Sequence, residues 1–345
     1  MRDLHQRICA ISSHGRVGPG RGGDERNHIG HVATVLVATV ALLGAGTATP
    51  AGSDHEATAS AAEPAVVLLA AGDIGDCDRL GGAGAHTTTK ILGGLDGTIA
   101  ALGDLVYPAG TAQAFHDCYA TTWGIYKDRT RPVPGNHEYY DGTGTAAPYF
   151  DYFGPIAGDR LKGYYSYDLG GWHIVALNSN CVRVDCWIGS AQEQWLQTDL
   201  AAHPGQCTLA YWHHPLFSSG RHPAHARTEA MRPIFRDLYR AGATVVLNGH
   251  EHFYERFAPQ DPDGNPDPNG IREFVVGTGG GLAKGYTEPP FGNSEVRNSG
   301  EFGVLKLVLH HDTYDWEFIG DPSGSFHDAG TGHCHRQPGS GVVTN

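Results

Sequence analysis

Side chains of metal-ligand type sit at the ends of five apolar runs in this sequence. "AAGDIGDC" ends the first run and carries Asp73, and "ALGDLVYP" carries Asp104 and Tyr107. "VPGNHEYY" carries Asn136 and His137, "AYWHHPL" carries His213 and His214, and "LNGHEHFYER" carries His250 and His252. Taken singly, a Gly-Asp or Gly-Asn after a strand is ordinary turn chemistry, and a single buried histidine is ordinary core. Five such ends in succession form a set whose types define a chemistry. Two Asp, one Asn, one Tyr and three His are too many donors for one tetrahedral zinc. They suit two metal ions that share a carboxylate, an arrangement able to clamp a phosphate ester for in-line attack. With no cysteine among them, a sulfur-selected metal is disfavoured.

These residues must be carried by strands whose ends converge. Strand-like runs occupy 65–72, 97–104, 130–136, 171–179, 207–214, 243–250, 272–279, 302–310 and 314–320. Helical patterns lie between some of them. Residues 190–203 open with Ser190 and Glu193, the spacing of a capping box. Residues 227–242 are amphipathic and end at Gly242, with Pro233 predicting a kink or a late start. Alternation of strand and helix predicts an α/β fold, and in such sheets sites form beyond the carboxyl ends of strands. By strand alternation His214 is expected to face away from His213 and to be structural. The stretch "QDPDGNPDPNG" (260–270) reads as a turn-rich loop.

The motifs "GDIG" (72–75), "GDLVY" (103–107), "GNHE" (135–138), "AYWH" (210–213) and "GHEH" (249–252) resemble, in order, those of the calcineurin-like metallophosphoesterase superfamily, and within it the purple acid phosphatases. "FYER" and "VGTGGG" (276–281) are similar too; Ala210 departs from the usual valine without touching a ligand position. The resemblance implies an α/β fold of two facing mixed sheets flanked by helices, the four-layer metallophosphoesterase architecture. It implies one metal held by Asp73, Asp104, Tyr107 and His252, and another by Asp104, Asn136, His213 and His250, with Asp104 bridging. Tyr107 as a phenolate implies Fe(III) at the first; Fe, Zn and Mn stay open for the second. His137, and His222 nine residues after His213, are implied as the catalytic histidines. Glu138, Glu251 and Arg256 are expected to support the ligands from behind. The implied activity is phosphate monoester hydrolysis, of the acid or alkaline phosphatase type, by attack of a metal-held hydroxide. A phosphodiesterase acting on cyclic nucleotides or phospholipid head groups uses the same ligands, and a non-catalytic secreted binding protein is the third possibility.

The chain has 345 residues and a formal charge of −13, with 24 basic and 37 acidic side chains. That balance argues against a nucleic-acid binder, which needs a basic footprint; a small phosphoester is the expected partner. Residues 32–46, "VATVLVATVALLGAG", have the length of an export-signal core, too short for a comfortable membrane span. The expected organisation is an N-terminal extension with export signal (1–51), a disordered linker (52–64), one catalytic domain (65–338) and a tail (339–345). It resembles the small single-domain form of the family, secreted and without stable membrane association after signal cleavage. Six cysteines remain beyond the signal, an even number that suits disulfides in an exported chain. Cys181 and Cys186 are near enough to close a small loop. Six cysteines allow 15 pairings; Cys77 and Cys118, each shortly after an acidic strand-end motif, are candidate neighbours, and that pairing would leave Cys207 with Cys334.

Overall fold

The computed structural model describes residues 65–221 and 229–335. The expected extension, export signal and linker (1–64), His222, and the tail from 336 onward lie outside the described residues. Among the described residues there are thirteen strands: β1 (Val66–Ala71), β2 (Thr98–Ala101), β3 (Thr130–Pro132), β4 (Tyr165–Leu169), β5 (Trp172–Ala176), β6 (Cys207–Tyr211), β7 (Val245–Asn248), β8 (Tyr254–Phe257), β9 (Arg272–Val276), β10 (Ser294–Asn298), β11 (Gly303–Leu309), β12 (Thr313–Gly320) and β13 (Ala329–His333). The longer helices are α1 (Ala83–Gly93), α2 (Ala147–Phe153), α3 (Ala191–Ala202) and α4 (Arg232–Arg240).

The strands form two mixed sheets. One has the order β13-β12-β11-β1-β2-β3 and the other β10-β8-β9-β7-β6-β5-β4. In the first, β1, β2 and β3 are mutually parallel, and in the second so are β5, β6, β7 and β9. The remaining pairs are antiparallel. Side-chain alternation sorts the second sheet into two cores. Ile174, Leu209, Leu247, Phe274 and Val276 pack with the first sheet. Their neighbours Val175, Ala210, Val246 and Val275 pack with Leu196 of α3 and with Ile234, Phe235 and Leu238 of α4. This is the expected α/β fold with two facing mixed sheets and flanking helices.

All nine strand-like runs contain a strand. Four more strands have no such run, and three of them lie at a sheet's edge: β4, β10 and β13. Each is half polar or glycine-rich ("YSYDL", "SEVRN", "AGTGH"), because such a strand buries little of its surface. The helix α3 begins where the capping box puts it: the Ser190 hydroxyl accepts from Glu193 N at 3.2 Å. The Glu193 carboxylate, however, reaches Gly189 N. In α4 Pro233 marks a start, since the helix begins at Arg232 and its first turn needs no N–H there. Gly242 follows its last turn with a left-handed φ of 80°.

Three disulfides join Cys77 to Cys118, Cys181 to Cys186 and Cys207 to Cys334. The first ties the turn after β1 to the segment following β2, so it braces two of the loops that carry ligand-type residues. The third joins the start of β6 to a residue beyond β13, closing a separation of 127 residues. No helix of the described residues is long and apolar enough to cross a membrane.

Candidate metal centre

The parallel strands of both sheets end at one place. Main-chain bonds join the two sheets there: Gly72 N donates to Val276 O at 2.9 Å, and Asp73 N to Gly103 O at 3.0 Å. Asp73 follows β1, Asp104 and Tyr107 follow β2, Asn136 follows β3, His213 follows β6, and His250 and His252 follow β7. The backbone is strained where it presents them. Only five described residues other than glycine have a positive φ, and three are Asp73 (60°), Asp104 (51°) and His250 (71°). Left-handed conformations of non-glycine residues persist where the surroundings over-determine them, and they concentrate at functional sites.

Two of the neighbouring glycines, Gly135 and Gly249, serve a different need from turning. A Cβ on Gly135 would lie 2.2 Å from Asp104 Oδ1 and 2.3 Å from Asp104 N. One on Gly249 would lie 2.7 Å from Asp73 Oδ2. Both positions are glycine because the loops pass too close for any side chain. At "NGHEH" it is His250, not Gly249, that takes the left-handed turn.

The donor atoms fall into two groups that share one carboxylate. Tyr107 OH donates to Asp73 Oδ1 at 2.7 Å and lies 3.0 Å from His252 Nε2, which is itself 3.2 Å from Asp73 Oδ1. His213 Nε2 and His250 Nδ1 are 3.3 Å apart. Asp104 Oδ2 touches both groups, 3.2 Å from Tyr107 OH and 3.3 Å from His213 Nε2. Spacings near 3 Å are those between ligands about a single ion. The tautomers are set from behind: His213 Nδ1 donates to Leu102 O and His252 Nδ1 to Leu282 O, each at 2.8 Å. Each ring therefore turns Nε2 inward, the usual arrangement behind a metal-bound histidine. Asp104 Oδ1 accepts from His137 N at 2.8 Å, and His250 N donates to Asp73 Oδ2 at 2.7 Å.

Two further observations fit a cation. Asn136 Oδ1 is buried and has no hydrogen-bond partner among the described residues, which is costly for a polar atom without a ligand to satisfy it. The electrostatics agree. Burial raises the Asp104 carboxyl, but the opposing pull of His213 and His137 carries it well below the usual range. Burial likewise opposes ionisation of Asp73, and His252 and His213 outweigh it. Burial lowers His213, yet Asp104 and Asp73 lift it to about 9. Burial, then Asp104 and Asp73, hold the Tyr107 phenol well above 10. Positive charge is thus what this cluster favours, and the oxygen and imidazole donors suit hard or borderline ions.

Several partners emerge only in three dimensions. Glu138 is fully buried, and its carboxylate accepts from Asp104 N (2.9 Å), Leu105 N (2.8 Å) and Gly135 N (2.7 Å). Burial and Asp104 raise its pKa to about 7 despite those bonds. It staples two ligand loops from one side chain. Glu138→Ala strands three buried N–H groups, with an expected cost on the order of 3 kcal/mol or more and a roughly 10–100-fold drop in metal affinity. Urea denaturation alongside metal titration checks this, and an unchanged midpoint would remove Glu138 from its supporting role. Arg256 does not lie behind a ligand; it pairs with Asp328 and Glu295 and covers Trp316.

His214 corrects the expectation from strand alternation. Its ring lies 4.5 Å from that of His250 and 4.8 Å from that of His213, and its Nδ1 is 2.8 Å from Ser179 Oγ. β6 ends at Tyr211, so the period of two no longer applies at residue 214. His213, His214 and His250 form a group with mutually close ligand atoms, as do Asp73, Asp104 and His213. Arg79 is a further side chain that only the fold brings to the centre. Its guanidinium lies 5.8 Å from the Tyr107 ring centre and is held by Asp76. A lone arginine in "GDCDRL" carries no sequence signal that would mark it.

The motif order and this geometry agree with comparisons to known proteins. The family model for calcineurin-like phosphoesterases matches residues 61–254. Purple acid phosphatase 22 of Arabidopsis thaliana is 38% identical over 154 residues, covering 42% of this chain and 34% of its own length. Purple acid phosphatase 21 of the same plant is 33% identical over 197 residues, covering 52% and 44%. The chain thus spans a third to under half the length of these relatives. The structure of purple acid phosphatase PPD1 from yellow lupin seeds superposes with a TM-score of 0.63 at 21% identity, covering 78% of this chain and 54% of that one. Matched over more than half its length by the family model, with the motif-bearing loops gathered at one point between two mixed sheets, the chain belongs to the calcineurin-like phosphoesterase family.

Proposed function

We propose that this protein is an exported phosphatase that hydrolyses phosphate monoesters at a two-metal centre. The observation that carries the proposal is the Asp104 carboxylate, whose Oδ2 stands within 3.3 Å of donors in both groups. Asp73, Tyr107, His252 and Asp104 would hold one ion, and Asn136, His213, His250 and Asp104 the other. Two cations held there supply Lewis acidity toward the phosphoryl oxygens and toward a nucleophilic water. Fe(III) fits the phenol-bearing group, and Fe, Zn or Mn the other.

The chain's own residues do the rest. His137 is tied by Nδ1 to Pro108 O at 2.6 Å, with Nε2 3.8 Å from Asp104 Oδ2. Its side chain is 22% exposed, where His213 is buried, so it reaches the mouth of the site. With Nδ1–H committed to Pro108 O, Nε2 can donate to a phosphoryl oxygen or to the leaving oxygen as the imidazolium, which carries a proton on both nitrogens. His222 is proposed as a second substrate-side histidine. The net charge of −13 does not draw anions in, so attraction must be local to the centre. Three disulfides suit an oxidising compartment and support export.

The test compares p-nitrophenyl phosphate with bis(p-nitrophenyl) phosphate on metal-reconstituted protein from acid to alkaline pH. Faster monoester turnover is expected. Faster diester turnover would make it a phosphodiesterase on the same scaffold, and no turnover of either at any pH would leave a binding protein.

A further inference from the structure

Tyr140 stands at the end of an aromatic series that starts inside the metal-ligand cluster. The Tyr107 ring, whose hydroxyl lies among Asp73, Asp104 and His252, meets His137 edge-on at 4.4 Å. His137 in turn meets Tyr140 at 5.0 Å and 68°. Exposure rises along the series: Tyr107 is buried, the His137 side chain is 22% exposed, and Tyr140 is 50% exposed. The adjacent Tyr139 shows the contrast. It is buried, and its hydroxyl accepts from Asn178 Nδ2 at 2.8 Å.

The mounting of Tyr140 is rigid on both sides. Upstream, His137 is fixed through Nδ1 to Pro108 O, and its carbonyl accepts from Gly110 N at 2.7 Å. Downstream, the Asp141 carboxylate accepts from Thr143 N (2.8 Å), Gly144 N (2.6 Å) and Ala147 N (3.1 Å). An exposed aromatic ring on a fixed backbone costs little to order when a ligand meets it. It packs against His137, which is proposed above to touch the ester oxygen, so a group carried by that oxygen would come within reach of the exposed ring.

We infer that Tyr140 is a specificity-determining contact for the leaving group, and that the site favours monoesters of aryl alcohols, whose ring begins one bond beyond the ester oxygen. The inference rests on the phosphatase reading above. A second ring packed against Tyr140 gains an aromatic contact that a small alkyl group cannot make.

The experiment uses the full chain, metal-reconstituted, as wild type, Tyr140→Ala and Tyr140→Phe. Calorimetry gives the affinities for phenylphosphonate and methylphosphonate, and kinetics gives kcat/KM for phenyl phosphate and methyl phosphate. In Tyr140→Ala the phenyl-to-methyl ratio should fall roughly three- to tenfold in both measurements, the size of one aromatic contact, and Tyr140→Phe should restore it. A ratio in Tyr140→Ala within twofold of wild type overturns the inference. Wild-type protein that binds the phosphonates but turns over neither ester counts against the phosphatase reading, while the phosphonate ratio still decides Tyr140. Binding of neither phosphonate overturns both.

Discussion

Asp104→Asn is expected to lower kcat/KM for phosphate monoesters by about a thousandfold or more, and to leave the protein with less than its full complement of metal. Asparagine is the informative substitution because residue 104 has a φ of 51°, a conformation that Asn and Asp tolerate far better than other side chains. Alanine there would add backbone strain to the loss of the carboxylate. The amide keeps the shape and the acceptor for His137 N, but it removes the negative charge that faces Tyr107, His213 and His137. A carboxylate shared by two ions fixes their separation, and Lewis acid catalysis is worth several kcal/mol of transition-state charge stabilisation. At 1.36 kcal/mol per decade, about 4 kcal/mol is the thousandfold expected. Elemental analysis of the purified variant separates loss of metal from loss of rate. Wild-type metal content together with wild-type turnover would show that Asp104 bridges nothing.

The second large effect is spectroscopic. Iron-loaded, oxidised wild-type protein should absorb visible light, and Tyr107→Phe should abolish the band. The phenol is buried beside two carboxylates, both of which, after burial itself, oppose its ionisation. A bound Lewis-acidic cation would reverse that balance, and the visible band is the expected mark of a phenolate on Fe(III). Phenylalanine keeps the ring against His137 and His252, at 4.4 and 5.5 Å, so packing is preserved while the oxygen is lost. Asp73, Asp104 and His252 remain to hold iron in the variant. Wild-type protein that binds stoichiometric iron and stays colourless would contradict the phenolate assignment.

Most of the centre is legible in the amino-acid sequence, and for a local reason. Each ligand-type residue lies within a few residues of an apolar run, and in a parallel sheet the ends of such runs must converge. Ordered spacing therefore carries "GD", "GD", "GNH", "WH" and "GHEH" to one point. The supports are less legible. Glu138 is a candidate by its place in "GNHE", but its three acceptor contacts bridge segments 33 and 34 residues apart as well as its own loop. The helix α1 carries "TTT" (87–89), a β-branched run of poor intrinsic helicity. It is held instead by tertiary bonds, with Thr88 Oγ1 donating to Gly279 O at 2.6 Å and Trp123 Nε1 donating to Thr88 Oγ1 at 2.8 Å.

By itself, then, the sequence determined the α/β class, the nine strands that bury enough to show a pattern, and the identity of the ligand-type residues, while the pair of facing sheets was an implication of the family resemblance. It could do so because burial and turn chemistry are local properties written residue by residue. The tertiary structure alone decided which nitrogen each histidine presents, that His214 turns toward His250, that Asp104 Oδ2 faces both donor groups, and that Tyr140 stands exposed beyond His137. Those depend on the register in which two separate sheets meet, set by contacts such as Gly72 with Val276 across 204 residues of chain, and no local pattern encodes a register between sheets.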